Sequence, residues 1–333
     1  MNIFYSLKVK KVRKLTNDAI EISFEIPTEL LDMFKFKAGQ YITIKSTINN
    51  KEVRRAYSIC SSPNSEEISV GVKKVKGGKM STFLTKEIKI GDILEVMPPT
   101  GNFIFEEGDV VAICAGSGIT PILSMMKLSN SSFTLIYGNK TEDSTMFYSE
   151  IKELNNDNHF LFSRENVIGS INGRITSDTL KNINGILDAD AYYICGPGKM
   201  IDSVSDFLKE NEVKGKINFE KFNSPKKSKI ENSNSEDSEI ISNITVIMDG
   251  DEFDYTLSSK GDTILDSAMD EGADVPFSCK GAVCCTCKAK VTEGKAIMDK
   301  NYSLSEEEVE DGFILTCQAH PITENIIVDF DEM

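Results

Sequence analysis

Along residues 1–104 the apolar and polar positions alternate with a period of two. In AIEISFEI (19–26), Ile20, Ile22, Phe24 and Ile26 fall on one face and Glu21, Ser23 and Glu25 on the other, as in a half-buried strand. YITIKSTI, EVRRAYSIC, EISVGVKKV and DILEVMPP repeat the pattern, and short strands at this spacing predict an antiparallel barrel. Over 105–224 the texture changes. VVAICAG, FTLIYGN, HFLFSRE, AYYICGP and KINFEKF read as strands, while PILSMMKL, MFYSEIKELNN and KMIDSVSDFLKENEV read as helices. That alternation predicts a doubly wound α/β domain on a parallel sheet. Residues 225–239, PKKSKIENSNSEDSE, hold almost nothing apolar and predict a linker. Residues 240–333 mix strands (ITVIMDG, FDYTLS, CKAKVTEG, NIIVDF) with short helices. TILDSAMDEG follows a candidate cap, Asp262, and SEEEVEDG opens with Ser305 and Glu308 in capping-box spacing.

Composition narrows the setting. The 333 residues, 40% of them apolar, suffice for two or three separate cores. No apolar run approaches the roughly 18 residues of a membrane helix. The start, MNIFYSLKVKKVRK, lacks the apolar centre of a secretory signal, so the expected compartment is the cytoplasm and no membrane partner is expected. Only His159 and His320 are present and no motif surrounds either, which argues against histidine acid–base catalysis.

The charge is lopsided. Residues 240–333 carry 20 acids and 6 bases, a net −14 of the chain's −15. Such a segment repels nucleic acid and suits a basic patch on a protein partner; the plainer reading is a solvated acidic face.

Within that acidic segment, CKGAVCCTC (279–287) packs four of the eight cysteines into nine residues. In a reducing compartment clustered thiols read as metal or redox groups rather than disulfides. Taking Cys279, Cys284, Cys287 and Cys317 gives C-x4-C-x2-C-x29-C, the spacing of plant-type [2Fe–2S] ferredoxins. Small residues at Gly281 and Ala282 let the backbone approach a cluster. Neighbours in an extended loop point opposite ways, so Cys285 is expected to pack inward without ligating. The rival is zinc on the same thiolates, though structural zinc draws short-spaced pairs and only Cys284–Cys287 forms one. The segment resembles plant-type ferredoxins, which implies a β-grasp fold.

Two further groups of motifs resemble the ferredoxin–NADP reductase family. Arg55-Ala56-Tyr57-Ser58 matches its R-x-Y-S signature. By that resemblance Arg55 pairs with flavin phosphates, Tyr57 stacks on the isoalloxazine, and the Ser58 hydroxyl reaches flavin N5. VKGGKMS (75–81), with Gly77, Gly78 and Ser81, resembles the second flavin motif, where a helix N-terminus meets the pyrophosphate. PPTGNF (98–103) resembles the segment that closes the barrel. The resemblance implies FAD, with FMN the alternative.

AGSGITP (115–121) supplies Gly116, Gly118, Thr120 and Pro121 directly after a strand, where glycines let the backbone approach a dinucleotide pyrophosphate. Its G-x-G-x-x-P form is the one this family uses. CGPGKM (195–200) resembles the family's late motif, with Cys195 beside the nicotinamide and Gly196 and Pro197 shaping the turn. The plain alternative for Cys195, as for Cys60 and Cys114, is a small buried hydrophobe. Lys140, Ser163 and Arg164 end the second and third strands and suit a 2′-phosphate, favouring NADPH over NADH.

The resemblance thus covers the whole chain in the order flavin, nicotinamide, iron–sulfur. It implies an FAD-binding six-stranded antiparallel β-barrel (1–104), a nucleotide-binding α/β domain (105–224) and a ferredoxin domain (240–333). The C-terminal run NYSLSEEEVEDGFILTCQAHPITENIIVDFD, with RRAYSIC, FTLIYGN and EKFNSP, is similar to reductase components of bacterial multicomponent oxygenases, the phenylacetyl-CoA type among them. The implied activity is electron transfer from NADPH through FAD and [2Fe–2S] to an oxygenase docking on the acidic domain. Other acceptors, namely a steroid or other ring hydroxylase, a desaturase or a hybrid-cluster protein, are the alternative.

Overall fold

The computed structural model describes residues 4–154, 156–222, 239–273 and 275–332; the linker reading at 225–239 falls almost wholly outside them. The chain divides into two compact units, one ending at Phe222 and the other beginning after it.

The first unit opens with six antiparallel strands: β1 (Tyr5–Lys14), β2 (Ala19–Glu25), β3 (Tyr41–Ile48), β4 (Lys51–Ser58), β5 (Ile68–Lys73) and β6 (Ile93–Thr100). Their order is β4-β3-β6-β1-β2-β5, and an antiparallel bridge between Ile59 and Val70 joins the two ends into a barrel. Closure removes the exposed edges that an open sheet would present. Leu7, Val9, Ile22, Phe24, Ile42, Ile44, Val70, Val72 and Val96 fill the interior. Helix α1 (Lys79–Lys86) packs Met80 and Leu84 into the same core.

The alternation in β2 predicts one wet face, but Ser23 is only 4% exposed. Its hydroxyl accepts from Ser69 at 2.8 Å. The second domain covers this side of the barrel: a Cβ on Gly71 in β5 would lie 2.6 Å from the Thr120 methyl and about 3 Å from Met146 and Phe147. Strand β1 is not among those the alternation predicts. It buries only Leu7 and Val9 and turns its lysines and arginine outward.

Next come β7 (Val110–Ala115), helix α2 (Ile119–Met126), β8 (Phe133–Asn139), α3 (Tyr148–Glu153), β9 (Asp157–Phe162), β10 (Ile171–Asn172), α4 (Ser177–Leu180), β11 (Ala191–Gly196), α5 (Gly198–Glu210) and β12 (Lys216–Lys221). The sheet order is β10-β9-β8-β7-β11-β12, every pair parallel. The chain reverses its direction of travel between β7 and β11, and ligands of such sheets bind at that switch point, beyond the strands' carboxyl ends.

The second unit forms a five-stranded mixed sheet of β-grasp type from β13 (Ile241–Met248), β14 (Asp251–Ser258), β15 (Lys288–Glu293), β17 (Phe313–Leu315) and β19 (Asn325–Asp329), ordered β14-β13-β19-β15-β17. A hairpin-like pair, β16 (Ala296–Met298) and β18 (Ala319–Pro321), stands beside it. Helix α6 (Ile264–Asp270) is capped by Thr263, whose hydroxyl accepts from the Asp266 N–H at 3.2 Å, and not by Asp262. The threonine wins because the cap must sit one residue before the first helical position. Helix α7 (Glu306–Glu310) carries the reciprocal box of Ser305 and Glu308, at 3.1 and 2.8 Å.

Candidate functional site

The flavin motif lies along β4. Alternation places Arg55 and Tyr57 on one face, paired with Ile44 and Ile42 of β3, and turns Ser58 the other way, toward the second domain. Arg55 is exposed and donates to the Arg54 carbonyl at 2.6 Å. Burial pushes the Tyr57 phenol far up, against the opposing pull of the Arg55 charge, so the ring stays neutral. Ser58 is buried and donates to Glu220 Oε2 in β12 at 3.3 Å.

Glu220 is half-buried and pairs in register with Cys195, which in turn pairs with Cys114. Burial first, then the Glu220 carboxylate, pushes the Cys195 thiol well up and keeps it protonated. The structure therefore brings together Ser58 and Cys195, named from sequence, around a carboxylate that sequence reading missed. The resembling run EKFNSP begins at Glu220 but gives it no role; its position is set by the register of β12 on β11.

At the second flavin motif, α1 starts from Gly78 without a capping side chain, which leaves its leading N–H groups to an anion. Gly77 adopts φ +78° with open space where a side chain would be. Ser81 accepts from the Val75 N–H at 3.1 Å, and a Cβ on Gly78 would stand 2.6 Å from its oxygen. The serine thus fixes the turn and keeps its own proton free to donate.

The nicotinamide motifs meet at the switch point. Gly116 has φ +57° and nothing within 4 Å of where a side chain would project, a cradle that a ligand can enter. A Cβ on Gly118 would lie 2.2 Å from the Cys195 carbonyl oxygen, and one on Gly196 would lie 3.3 Å from the Ala115 nitrogen. Glycine at these places is what lets the two loops close on each other. Pro121 sits in the first turn of α2, where its missing N–H costs nothing. Thr120 is 2% exposed and its hydroxyl donates to the Ser117 carbonyl at 3.0 Å, so the side chain serves the turn itself. Pro197 precedes α5 as its extended N-cap.

Lys140 and Arg164 are exposed and adjacent: the Arg164 N–H donates to Lys140 O at 2.9 Å, and the Ser163 N–H to Asn139 O at 3.0 Å. Acids stand nearby as well: Glu165 accepts from the Glu142 N–H at 2.8 Å, which ties its carboxylate to the neighbouring turn.

In the second unit the four chosen cysteines form two pairs. Cys284 donates to Cys279 at 3.1 Å, and Cys287 hydrogen-bonds Cys317. Within each pair the shared hydrogen bond lowers one thiol, Cys279 or Cys317, and raises its partner. Backbone N–H groups of Gly281 and Val283 aim at the Cys279 sulfur, and that of Ala282 at Cys317. Lys280 and Ala282 adopt φ of +47° and +63°, the left-handed turn that directs these amides inward. Two thiolate pairs wrapped in N–H donors fit a two-iron cluster, one pair per iron. Among the described residues no three His, Cys, Asp or Glu side chains gather as around a single ion. Cys285 turns away, donating to Ser303 O at 3.4 Å with its thiol pushed up to about 12 by burial.

Comparison with known proteins finds the same three modules. Residues 6–105 match the oxidoreductase FAD-binding domain, residues 112–206 the oxidoreductase NAD-binding domain, and residues 247–321 the 2Fe-2S iron-sulfur cluster binding domain. The chain is 38% identical to a component of the 1,2-phenylacetyl-CoA epoxidase of Escherichia coli K12 over 99% of both chains. It is 32% identical to the ferredoxin reductase component of 3-ketosteroid-9-alpha-monooxygenase of Rhodococcus rhodochrous, over 97% of this chain and 96% of that one. The solved phthalate dioxygenase reductase shares the modular fold at a TM-score of 0.60 and 22% identity, covering 98% of each chain. No helix among the described residues is long and apolar enough to cross a membrane. The chain belongs to the family of oxidoreductases that join an FAD-binding barrel, an NAD-binding domain and a 2Fe-2S ferredoxin domain in one polypeptide.

Proposed function

We propose that this oxidoreductase is the reductase component of a multicomponent oxygenase acting on phenylacetyl-CoA, and that it draws on NADPH. The end-to-end likeness to the epoxidase component carries the reading. Bound FAD would supply the conversion between two-electron hydride donors and one-electron acceptors.

The chain's own residues do the rest. Arg55 and the uncapped start of α1 hold the flavin phosphates, and Tyr57 covers the ring. Ser58 keeps its hydroxyl oriented by donating to Glu220, which gives a buried hydroxyl a carboxylate partner that reaches toward solvent. Cys195, held neutral, provides an uncharged surface beside the nicotinamide. Lys140, Ser163 and Arg164 clamp the 2′-phosphate. Cys279 with Cys284, and Cys287 with Cys317, each hold one iron. The acidic 240–333 segment, with Glu306, Glu307, Glu308 and Glu310 on α7, steers a basic oxygenase surface.

The steroid-oxygenase relative favours a second reading, the same relay serving a different oxygenase. Anaerobic NADPH titration, followed by optical and EPR spectra, tests the relay. Bleaching of the flavin followed by a reduced-cluster signal is expected; neither occurring rejects it. Substrate-dependent oxygen uptake with the phenylacetyl-CoA oxygenase proteins, set against a steroid oxygenase, tests the acceptor. Turnover with the steroid system alone transfers the assignment to the second reading.

A further inference from the structure

Tyr137 stands fully buried in β8, one strand away from the dinucleotide turn, and the resembling run FTLIYGN gives it no role. Its hydroxyl donates to the Gly116 carbonyl at 2.8 Å and lies 3.4 Å from the Met146 carbonyl. Across the sheet it pairs in register with Cys114, which pairs with Cys195, which pairs with Glu220. The tyrosine therefore lies in the same row of side chains that reaches Ser58, with Phe160 of β9 on its other side.

We infer that Tyr137 is a positioning residue for the nicotinamide dinucleotide: by holding the Gly116 carbonyl beneath the turn it aims the Ser117 N–H at the pyrophosphate. The inference rests on AGSGITP being the dinucleotide turn. A trans peptide is planar, with its C=O and N–H on opposite sides. Fixing the Gly116 oxygen toward Tyr137 thus directs the Ser117 N–H away from the tyrosine, and open space lies where a Gly116 side chain would project. A left-handed glycine is the residue whose adjoining peptide flips most easily, so an anchor at this carbonyl restrains the turn where it is softest. The turn carries no side-chain cap, and Thr120 already binds the following carbonyl, that of Ser117. Tyr137 and Thr120 fasten successive carbonyls from within and leave the amides to the ligand.

The same hydroxyl touches the Met146 carbonyl, and Met146 and Phe147 pack on Gly71 of the barrel. Tyr137 thus ties the nicotinamide turn to the loop that rests on the flavin-binding strands, which couples dinucleotide placement to the flavin side.

The test is Tyr137→Phe, which removes one oxygen and keeps the ring, assayed with ferricyanide as acceptor. KM is expected to rise about fivefold for both NADPH and NADH, because the pyrophosphate is common to them, with kcat and flavin content kept. Unchanged KM for both, in a flavin-loaded variant, overturns the inference. A rise for NADPH alone also overturns it, since that would mark the 2′-phosphate. Should the variant lose flavin, hydrogen exchange of the wild-type protein decides: NADP+ should slow exchange at Ser117, and no slowing despite measured binding rejects the inference. Failure of the dinucleotide reading looks different, as the wild-type protein would then accept electrons from neither NADPH nor NADH.

Discussion

Gly118 and Cys195 touch through their backbones: a methyl group on the glycine would stand 2.2 Å from the cysteine's carbonyl oxygen. Neither β11 nor the turn after β7 can yield without disturbing a parallel sheet bonded on both sides. Gly118→Ala is therefore expected to cost about 1–3 kcal/mol by overpacking. It should lower the flavin-release temperature by several degrees and weaken NADPH binding at least tenfold. Wild-type affinity in that variant would show that the two loops do not form the dinucleotide crevice.

Ser58 and Glu220 are 162 residues apart in the chain and 3.3 Å apart in space. A hydrogen bond to a charged group contributes about 1.5–3 kcal/mol. Ser58→Ala should slow flavin reduction by NADPH about tenfold or more in stopped-flow traces while leaving the dissociation constant within twofold. Glu220→Gln, which can still accept from the serine, should have a smaller effect at neutral pH. If both variants reduce at the wild-type rate, the pair is structural.

Cys285 is turned toward Ser303 O, while its neighbour Cys284 faces Cys279. Cys285→Ser should retain two irons and two acid-labile sulfides per chain. Cys284→Ser should lose most of both. Iron loss from the first variant would reassign the ligand set.

The motifs that can be read from sequence are those whose chemistry is local. The first three cluster cysteines, the glycines of AGSGITP and the capping box at Ser305 depend on residues a few places apart. Glu220 is invisible there because its role comes from β12 pairing at a sheet edge and meeting a barrel strand. Ser23 reads as a wet position because alternation reports one sheet, whereas the second domain covers its outer side through Gly71 and Thr120. Thr120, counted among cofactor contacts, spends its hydroxyl on Ser117, and a second anchor of the turn, Tyr137, sits in a run, FTLIYGN, whose resemblance assigns it no role. Those positions belong to tertiary contacts, which no short window contains.

Lys140 and Arg164 are held side by side by the Arg164 N–H bond to the Lys140 carbonyl. Both side chains are exposed at the carboxyl ends of β8 and β9. A bidentate guanidinium–phosphate contact is worth far more than a hydroxyl contact in the same place. Arg164→Ala should raise KM for NADPH about tenfold and leave KM for NADH within twofold. Equal changes for the two dinucleotides would dismiss the 2′-phosphate clamp.

Glu150 on α3 joins the domains of the first unit: it takes Arg13 of β1 at 2.6 Å and Lys127 at 2.7 Å. Arg13 also binds Glu21 of β2 at 2.7 Å. Burial works to raise the Glu150 carboxyl, but the hydrogen bonds from Lys127 and Arg13 outweigh it and hold the group below its ordinary value. A carboxylate depressed by folding contributes its stabilisation fully above the unfolded value, about 4.3 for glutamate. That contribution fades as pH falls through the lower, folded value. Urea unfolding of this unit, followed by the release of flavin fluorescence, should show wild type above Glu150→Gln at pH 7. The gap should close as the pH approaches 3. A gap that stays constant over that range would mean the network acts through packing alone and not through its charge.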